Sequence, residues 1–148
     1  MDDFVSFFTY IWGYMLSRKT KYGLKAIKYL AAQGTENPVL ISEISETENI
    51  PKKFLEAILL QLKNNGFLGS KKGKGGGYYL IKSPEDVTLA ALIRVLEGPI
   101  AMLPCVSLNF YEKCSDCATE EECSLHILMA EVRDKTLAIL ENKTIKDL

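Results

Sequence analysis

The sequence predicts a mainly α fold with a small β-hairpin wing, a winged helix-turn-helix followed by a long C-terminal dimerisation helix. Three observations lead there. Apolar residues recur at helical spacing in successive segments separated by short breaks, a glycine-rich basic stretch lies between two β-prone runs, and a long one-sided apolar stripe occupies the C-terminal end.

In the first helix, predicted over 20–32, Tyr22, Leu24, Ala26, Ile27, Leu30 and Ala31 form one face and Lys21, Lys25 and Lys28 the other. After the turn GTENP, Leu40, Ile41 and Ile44 mark a short second helix around 42–48, and ENIP breaks it. Pro51, with its fixed φ and missing donor, suits the first turn of a third helix that carries Phe54, Leu55, Ile58, Leu59 and Leu62 until Gly66 stops it. In FLGSKKGKGGGYYLIK, Phe67 and Leu68 lead into a hairpin and Tyr78 to Ile81 lead out, around a tip of glycines open to backbone angles closed to other residues. Thr88 is placed to cap a linker helix that runs to Leu96 and ends at Gly98-Pro99. From Ser124 to Leu140 the stripe Leu125, Leu128, Met129, Val132, Thr136 and Ile139 or Leu140 is long enough to require a partner surface.

The domain organisation predicted is an N-terminal extension at 1–14, a winged helix-turn-helix at 15–83, and at 84–148 a linker helix, a cysteine-rich metal segment and the dimerisation helix. The 148 residues, 47% of them hydrophobic, fit one domain or a small domain with an appended arm, with apolar mass enough for a packed core. The opening MDDFVSFFTYIWGY has neither the basic start of a signal peptide nor the roughly 20 apolar residues of a membrane span, so no membrane association is expected and the compartment expected is the cytoplasm. A helical arm, an oligomer contact and an extension upstream of a start at Met15 all remain open for it.

The net charge of −1 conceals a division: residues 15–82 hold twelve Lys and Arg against five acids, whereas 83–148 hold six against twelve. A basic half with helical motifs is the electrostatic footprint of a nucleic-acid binder, and an acidic half is repelled by phosphates and faces elsewhere. Lys52, Lys53 and Phe54 fall in the first turn of the third helix, where such helices present side chains to base edges in the major groove; a solvated helix start is the plainer reading of the two lysines alone. Lys71, Lys72 and Lys74 sit on a glycine-rich tip able to approach a duplex closely. GKGGG lacks the Gly-Lys-Ser/Thr ending of a nucleotide-binding P-loop. With a single histidine and no nucleophile-base pair evident, no enzymatic activity is expected.

All four cysteines, Cys105, Cys114, Cys117 and Cys123, lie within one short stretch beside His126, with eight, two, five and two intervening residues. Clustering of this kind favours metal or redox chemistry over a disulfide framework, which spreads its cysteines to staple a small core. Thiolates and imidazole suit an iron-sulfur cluster or zinc equally. A closed zinc knot of Cys114, Cys117, Cys123 and His126, and a regulatory disulfide, are the competing readings.

LSRKTKYGLKAIKYLA, IPKKFLEAILLQLKNNGFL, KGKGGGYYL, CATEEECSLH and ENKTIKDL together resemble the bacterial winged-helix regulators that include the iron-sulfur cluster regulator IscR and the nitric-oxide-sensitive repressor NsrR, from Met15 to Leu148. The resemblance implies a homodimer, its long helices crossing, bound to double-stranded DNA at a pseudo-palindromic operator and acting as a repressor or dual regulator. It places Lys52, Lys53, Phe54 and Glu56 where relatives touch bases, and Lys72 where a wing arginine enters the minor groove; lysine is a weaker probe there. It also implies a [2Fe-2S] or [4Fe-4S] cluster on Cys105, Cys117 and Cys123, with His126 as fourth ligand, and zinc as the alternative metal. Cys114 is a departure, able to displace Cys117 or to complete an all-cysteine site. Lys21 and Lys25 stand near the position of a partner carboxylate that ligates the cluster in some relatives, and cannot replace it. Some members of the family carry no cluster.

Overall fold

The computed structural model describes residues 16–148; the extension expected at 1–14, and Met15, lie outside the described residues. Helix α1, Arg18–Ala32, starts where extended Ser17 accepts the amide of Thr20 on its hydroxyl at 3.2 Å. Helix α2, Ile41–Glu48, ends on Asn49 in the left-handed conformation, φ 52°, and the Ile50 amide returns to the Ser45 carbonyl at 3.0 Å. Pro51 stands one position before helix α3, Lys52–Asn64, and its carbonyl accepts the amides of Phe54 and Leu55, each at 3.0 Å. Helix α1 starts two residues, and α2 one residue, earlier than their apolar patterns indicate, because caps and fraying ends carry no periodic signal.

Strand β1, Leu68–Lys71, pairs antiparallel with β2, Gly77–Leu80, Leu68 opposite Leu80 and Lys71 opposite Gly77. Val39, in the loop before α2, exchanges two backbone hydrogen bonds of 2.8 Å with Tyr78, so the wing is tied to the helix-turn-helix. That approach needs a glycine: Gly77 has φ +144°, and a Cβ there would stand 2.1 Å from the Val39 carbonyl oxygen.

Helix α4, Leu89–Leu96, is capped by the Thr88 hydroxyl, which accepts the Ala91 amide at 3.2 Å. A 3-10 turn at Pro104–Val106 and helix α5, Ser124–Glu141, follow. The chain then returns: Leu89 donates to the Lys143 carbonyl at 2.8 Å, Ile145 donates to that of Val87 at 3.1 Å, and Ile145 is buried. One apolar core therefore joins Ile27 and Leu30 of α1, Ile44 of α2, Leu55, Ile58, Leu59 and Leu62 of α3, Leu68 and Leu80 of the wing, Leu92 and Leu96 of α4, and Ile145. A smaller cluster of Ala90, Ile93, Ile100 and Leu137 holds α5 against α4. Leu137 is the one buried residue among the eighteen of α5, and Leu125, Ile127, Leu128 and Ile139 are each more than half exposed. Among the described residues no helix is long and apolar enough to cross a membrane.

Candidate nucleic-acid interface and cysteine site

Burying Leu55, Ile58, Leu59 and Leu62 turns the opposite side of α3 to solvent, and Lys52, Lys53, Phe54, Glu56 and Lys63 all stand on it. The wing rises beside this helix. Between them lies a groove of about 480 Å3 walled by Lys52, Glu56 and Lys63 of α3, Ser42 at the start of α2, and Ser70, Lys71 and Lys72 of the wing. Four of the residues singled out in the sequence, Lys52, Glu56, Lys71 and Lys72, are thus brought to one groove, while Lys53, Phe54 and Lys74 are exposed outside it. Phe54 also has an internal contact, its ring edge-on to Tyr22 of α1 at 6.0 Å between centroids, so part of its role is to seat α3 on α1.

Lys63, Ser42 and Ser70 escaped the sequence reading. Lys63 was accessible to it, since it lies seven residues after Glu56 and hence two turns along the same face; Ser42 and Ser70 become neighbours only through tertiary structure. Among the described residues none of Lys52, Lys53, Lys63, Lys71, Lys72 and Lys74 is in an ion pair, whereas Lys135, Lys143 and Lys146 of the acidic half are each held by a carboxylate. The lysines of the α3-wing face therefore outnumber its one carboxylate, Glu56, and are not neutralised by ion pairs among the described residues.

The cysteine segment runs from the turn Pro104–Val106 to the start of α5. Cys105 is buried in the turn Pro104–Val106, which Arg133 of α5 anchors by donating to the Val106 carbonyl at 2.7 Å. Cys114, Cys117 and Cys123 are half-buried free thiols. The thiols of Cys114 and Cys123 push the Cys117 pKa up to about 12. Cys123 immediately precedes α5; the His126 amide at the helix start, and then the Cys117 thiol, hold its own pKa below the ordinary thiol value. Burial, then the nearby Glu120 carboxylate, push Cys105 up. His126 Nδ1 is buried with no hydrogen-bond partner among the described residues.

An uncommitted imidazole nitrogen and four thiols in one segment are donor types suited to a soft metal. As they stand, no three His, Cys, Asp or Glu side chains among the described residues are arranged to hold a metal ion. The residues fit such a group by the chemistry of their donors.

Two polar anchors had no signal in the sequence. Glu97, at the end of α4, accepts the Ser17 amide at 2.7 Å and the hydroxyl of buried Thr20, which pins the start of α1 to the root of the cysteine segment. Gln61 of α3 donates to the Val95 carbonyl of α4 at 2.7 Å.

Comparison with known proteins agrees with this architecture. Residues 16–148 match the family of iron-dependent transcriptional regulators called Rrf2. An rrf2-like HTH-type transcriptional regulator of Rhodobacter capsulatus is 39% identical over 137 residues, covering 90% of this chain and 91% of that protein. The solved structure of CymR, the global cysteine regulator of Bacillus subtilis, superposes with a TM-score of 0.73 at 32% identity over 89% of this chain and 93% of that one. IscR of T. potens does so with a TM-score of 0.69 at 27% identity, covering 91% and 85%. With the helix-turn-helix, the wing, the long α5 and the C-terminal return all accounted for in these matches, the chain belongs to the Rrf2 family of winged-helix transcriptional regulators.

Proposed function

We propose that this chain is a homodimeric DNA-binding repressor, not an enzyme, whose operator affinity is set by the state of its cysteine segment. The observation that carries the reading is the groove between α3 and the wing, walled by Lys52, Lys63, Lys71 and Lys72, none of them in an ion pair among the described residues, a lining suited to a phosphate backbone. Lys52, Lys53, Phe54 and Glu56 face base edges, and Lys71, Lys72 and Lys74 face phosphates or the minor groove. The exposed stripe of α5 meets the same stripe of a second copy, which places two reading heads on a pseudo-palindromic operator.

Cys105, Cys117 and Cys123, with His126 or Cys114 as the fourth donor, are the residues that would hold an iron-sulfur cluster, [2Fe-2S] or [4Fe-4S]. When bound, such a group supplies reactivity toward iron supply, oxidants or nitric oxide. The chain supplies the coupling. Any rearrangement of the segment after Gly98 pulls on α4, and α4 is joined to α1 through Glu97 and to α3 through Gln61, so the two arrangements of the segment carry different settings of the recognition helix.

The reading is tested by purification without oxygen, a visible spectrum, iron and sulfide counts, and gel shifts before and after air or nitric oxide. Iron and sulfide in equal amounts, with DNA retardation that changes on exposure, are expected; colourless protein without iron sinks the cluster.

A second reading has its own observation: four free cysteines, the Cys117 thiol perturbed by those of Cys114 and Cys123, together with the likeness to a cysteine regulator, fit a cluster-free or zinc-stapled regulator that responds through thiols or a partner protein. Zinc without sulfide, or no metal and a reversible loss of free thiols, distinguishes it.

A further inference from the structure

The stretch Thr119-Glu120-Glu121-Glu122-Cys123 presents three successive glutamates, and the structure treats them differently. Glu121 and Glu122 are exposed, Glu122 accepting only the Thr119 hydroxyl at 3.1 Å. Glu120 turns inward. Its Oε1 accepts the Cys114 amide at 3.0 Å, both of its carboxylate oxygens accept the Tyr111 hydroxyl at 3.2 and 3.1 Å, and its backbone carbonyl accepts the Cys123 amide at 3.1 Å.

We propose that Glu120 is a positioning residue of the cysteine site: its carboxylate holds the part of the loop bearing Cys114 through the Cys114 amide and the Tyr111 hydroxyl, while its main-chain carbonyl holds Cys123 at the start of α5.

Two features support this. The loop from Ser107 to Glu122 contains no regular helix or strand, so its shape depends on a few local bonds, and Glu120 makes those that join its two ends. Charge adds to the strength of these bonds, since a carboxylate receiving a backbone amide and a phenol makes stronger hydrogen bonds than a neutral acceptor. In metal sites, residues that hold the ligands count nearly as much as the ligands themselves.

The inference rests on the metal reading only for its functional consequence; the loop geometry stands apart from it. The full chain, freed of metal under nitrogen, is titrated with Co2+, and the thiolate-to-cobalt charge-transfer absorption counts the sulfurs bound. Amide hydrogen exchange of the peptide containing Cys114 is followed on the same preparations. Glu120→Ala is expected to weaken cobalt binding roughly 10–100-fold with a smaller charge-transfer band, and to speed exchange at Cys114 about tenfold. Glu120→Gln keeps an acceptor oxygen and is expected to restore most of both. Parental affinity and band intensity in Glu120→Ala overturn the proposal, as does unchanged exchange at Cys114, or a Gln variant as impaired as Ala. If the parent chain binds no cobalt, the metal reading falls, and amide exchange alone then decides whether Glu120 organises the loop.

Discussion

Removing two wing charges measures how the protein meets DNA. Lys71 and Lys72 border the groove beside α3, and neither is in an ion pair among the described residues, so nothing within the chain needs rearranging when they go. A dimer presents each lysine twice. If all four lie on phosphates, counterion release gives about 0.9 units of slope for each, and the double substitution Lys71→Ala, Lys72→Ala makes the slope of log affinity against log salt less negative by about 3.6. Between about 50 and about 200 mM salt the parent then loses roughly 150 times more affinity than the variant, whereas a monomer meeting DNA with one wing gives a difference of only about twelvefold. The assay is fluorescence anisotropy on a random-sequence duplex, which requires no knowledge of the operator. Lys113→Ala with Lys135→Ala makes the same change of charge in the acidic half and should leave the slope as it was. An unchanged slope in the wing variant, or an equal change in the control, refutes the placement of DNA in this groove.

Gly77→Ala forces a side chain into a backbone at φ +144°, 2.1 Å from the Val39 oxygen, and should destabilise the wing by roughly 1–3 kcal/mol, read by thermal unfolding with DNA affinity falling in parallel. Leu137→Ala removes the buried contact of α5 with α4 and should cost roughly 2–5 kcal/mol; a loss below about 0.5 kcal/mol, within the range of a surface substitution, would mean that α5 is held by other means. Leu128→Arg, on the exposed stripe, should convert dimer to monomer in sedimentation without lowering the unfolding temperature of the monomer, and a variant that stays dimeric places the subunit contact elsewhere. Burial pushes the Glu97 carboxyl up, but hydrogen bonds from Thr20 and Ser17 and the charge of Lys19 outweigh it and leave the folded value below 4.5. A depressed carboxyl contributes stability above its unfolded value and loses it as pH falls through the folded one, so the advantage of the parent over Glu97→Gln should be full near about pH 7 and close on acidification below the usual carboxylate range. A gap that is constant across that range rules out the ionised carboxylate as its source.

The three helices of the DNA-binding region could be read in sequence because each buries a stripe whose period is that of the helix, and Pro51, Gly66 and the glycines of the wing mark where periodicity must stop. The face of α3 was legible for the same reason: whatever Leu55, Ile58 and Leu62 turn inward leaves Lys52, Glu56 and Lys63 outside. Polar anchors obey no period. Nothing in TEEEC tells Glu120 from its neighbours, and nothing in VLEGP marks Glu97, because the role of each depends on donors that folding brings from elsewhere, Cys114 and Tyr111 in one case, Ser17 and Thr20 in the other. The division drawn at residue 83 follows a real change in charge, basic before and acidic after, yet packing runs straight through it: Val87, Leu92, Leu96 and Ile145 belong to the same core as Ile27 and Leu59. That continuity has a consequence for signalling. A sensing segment on a separate domain can move without disturbing the reading head, but one rooted on a helix whose Leu96 side chain would lie 2.5 Å from a Cβ at Gly23 cannot, because close-packed side chains transmit displacement with little give. Gly23→Ala should therefore shift α4 against α1 and change DNA affinity with the cysteine segment untouched, and an unaltered affinity in a folded Gly23→Ala protein would show that the two ends are not linked through this contact.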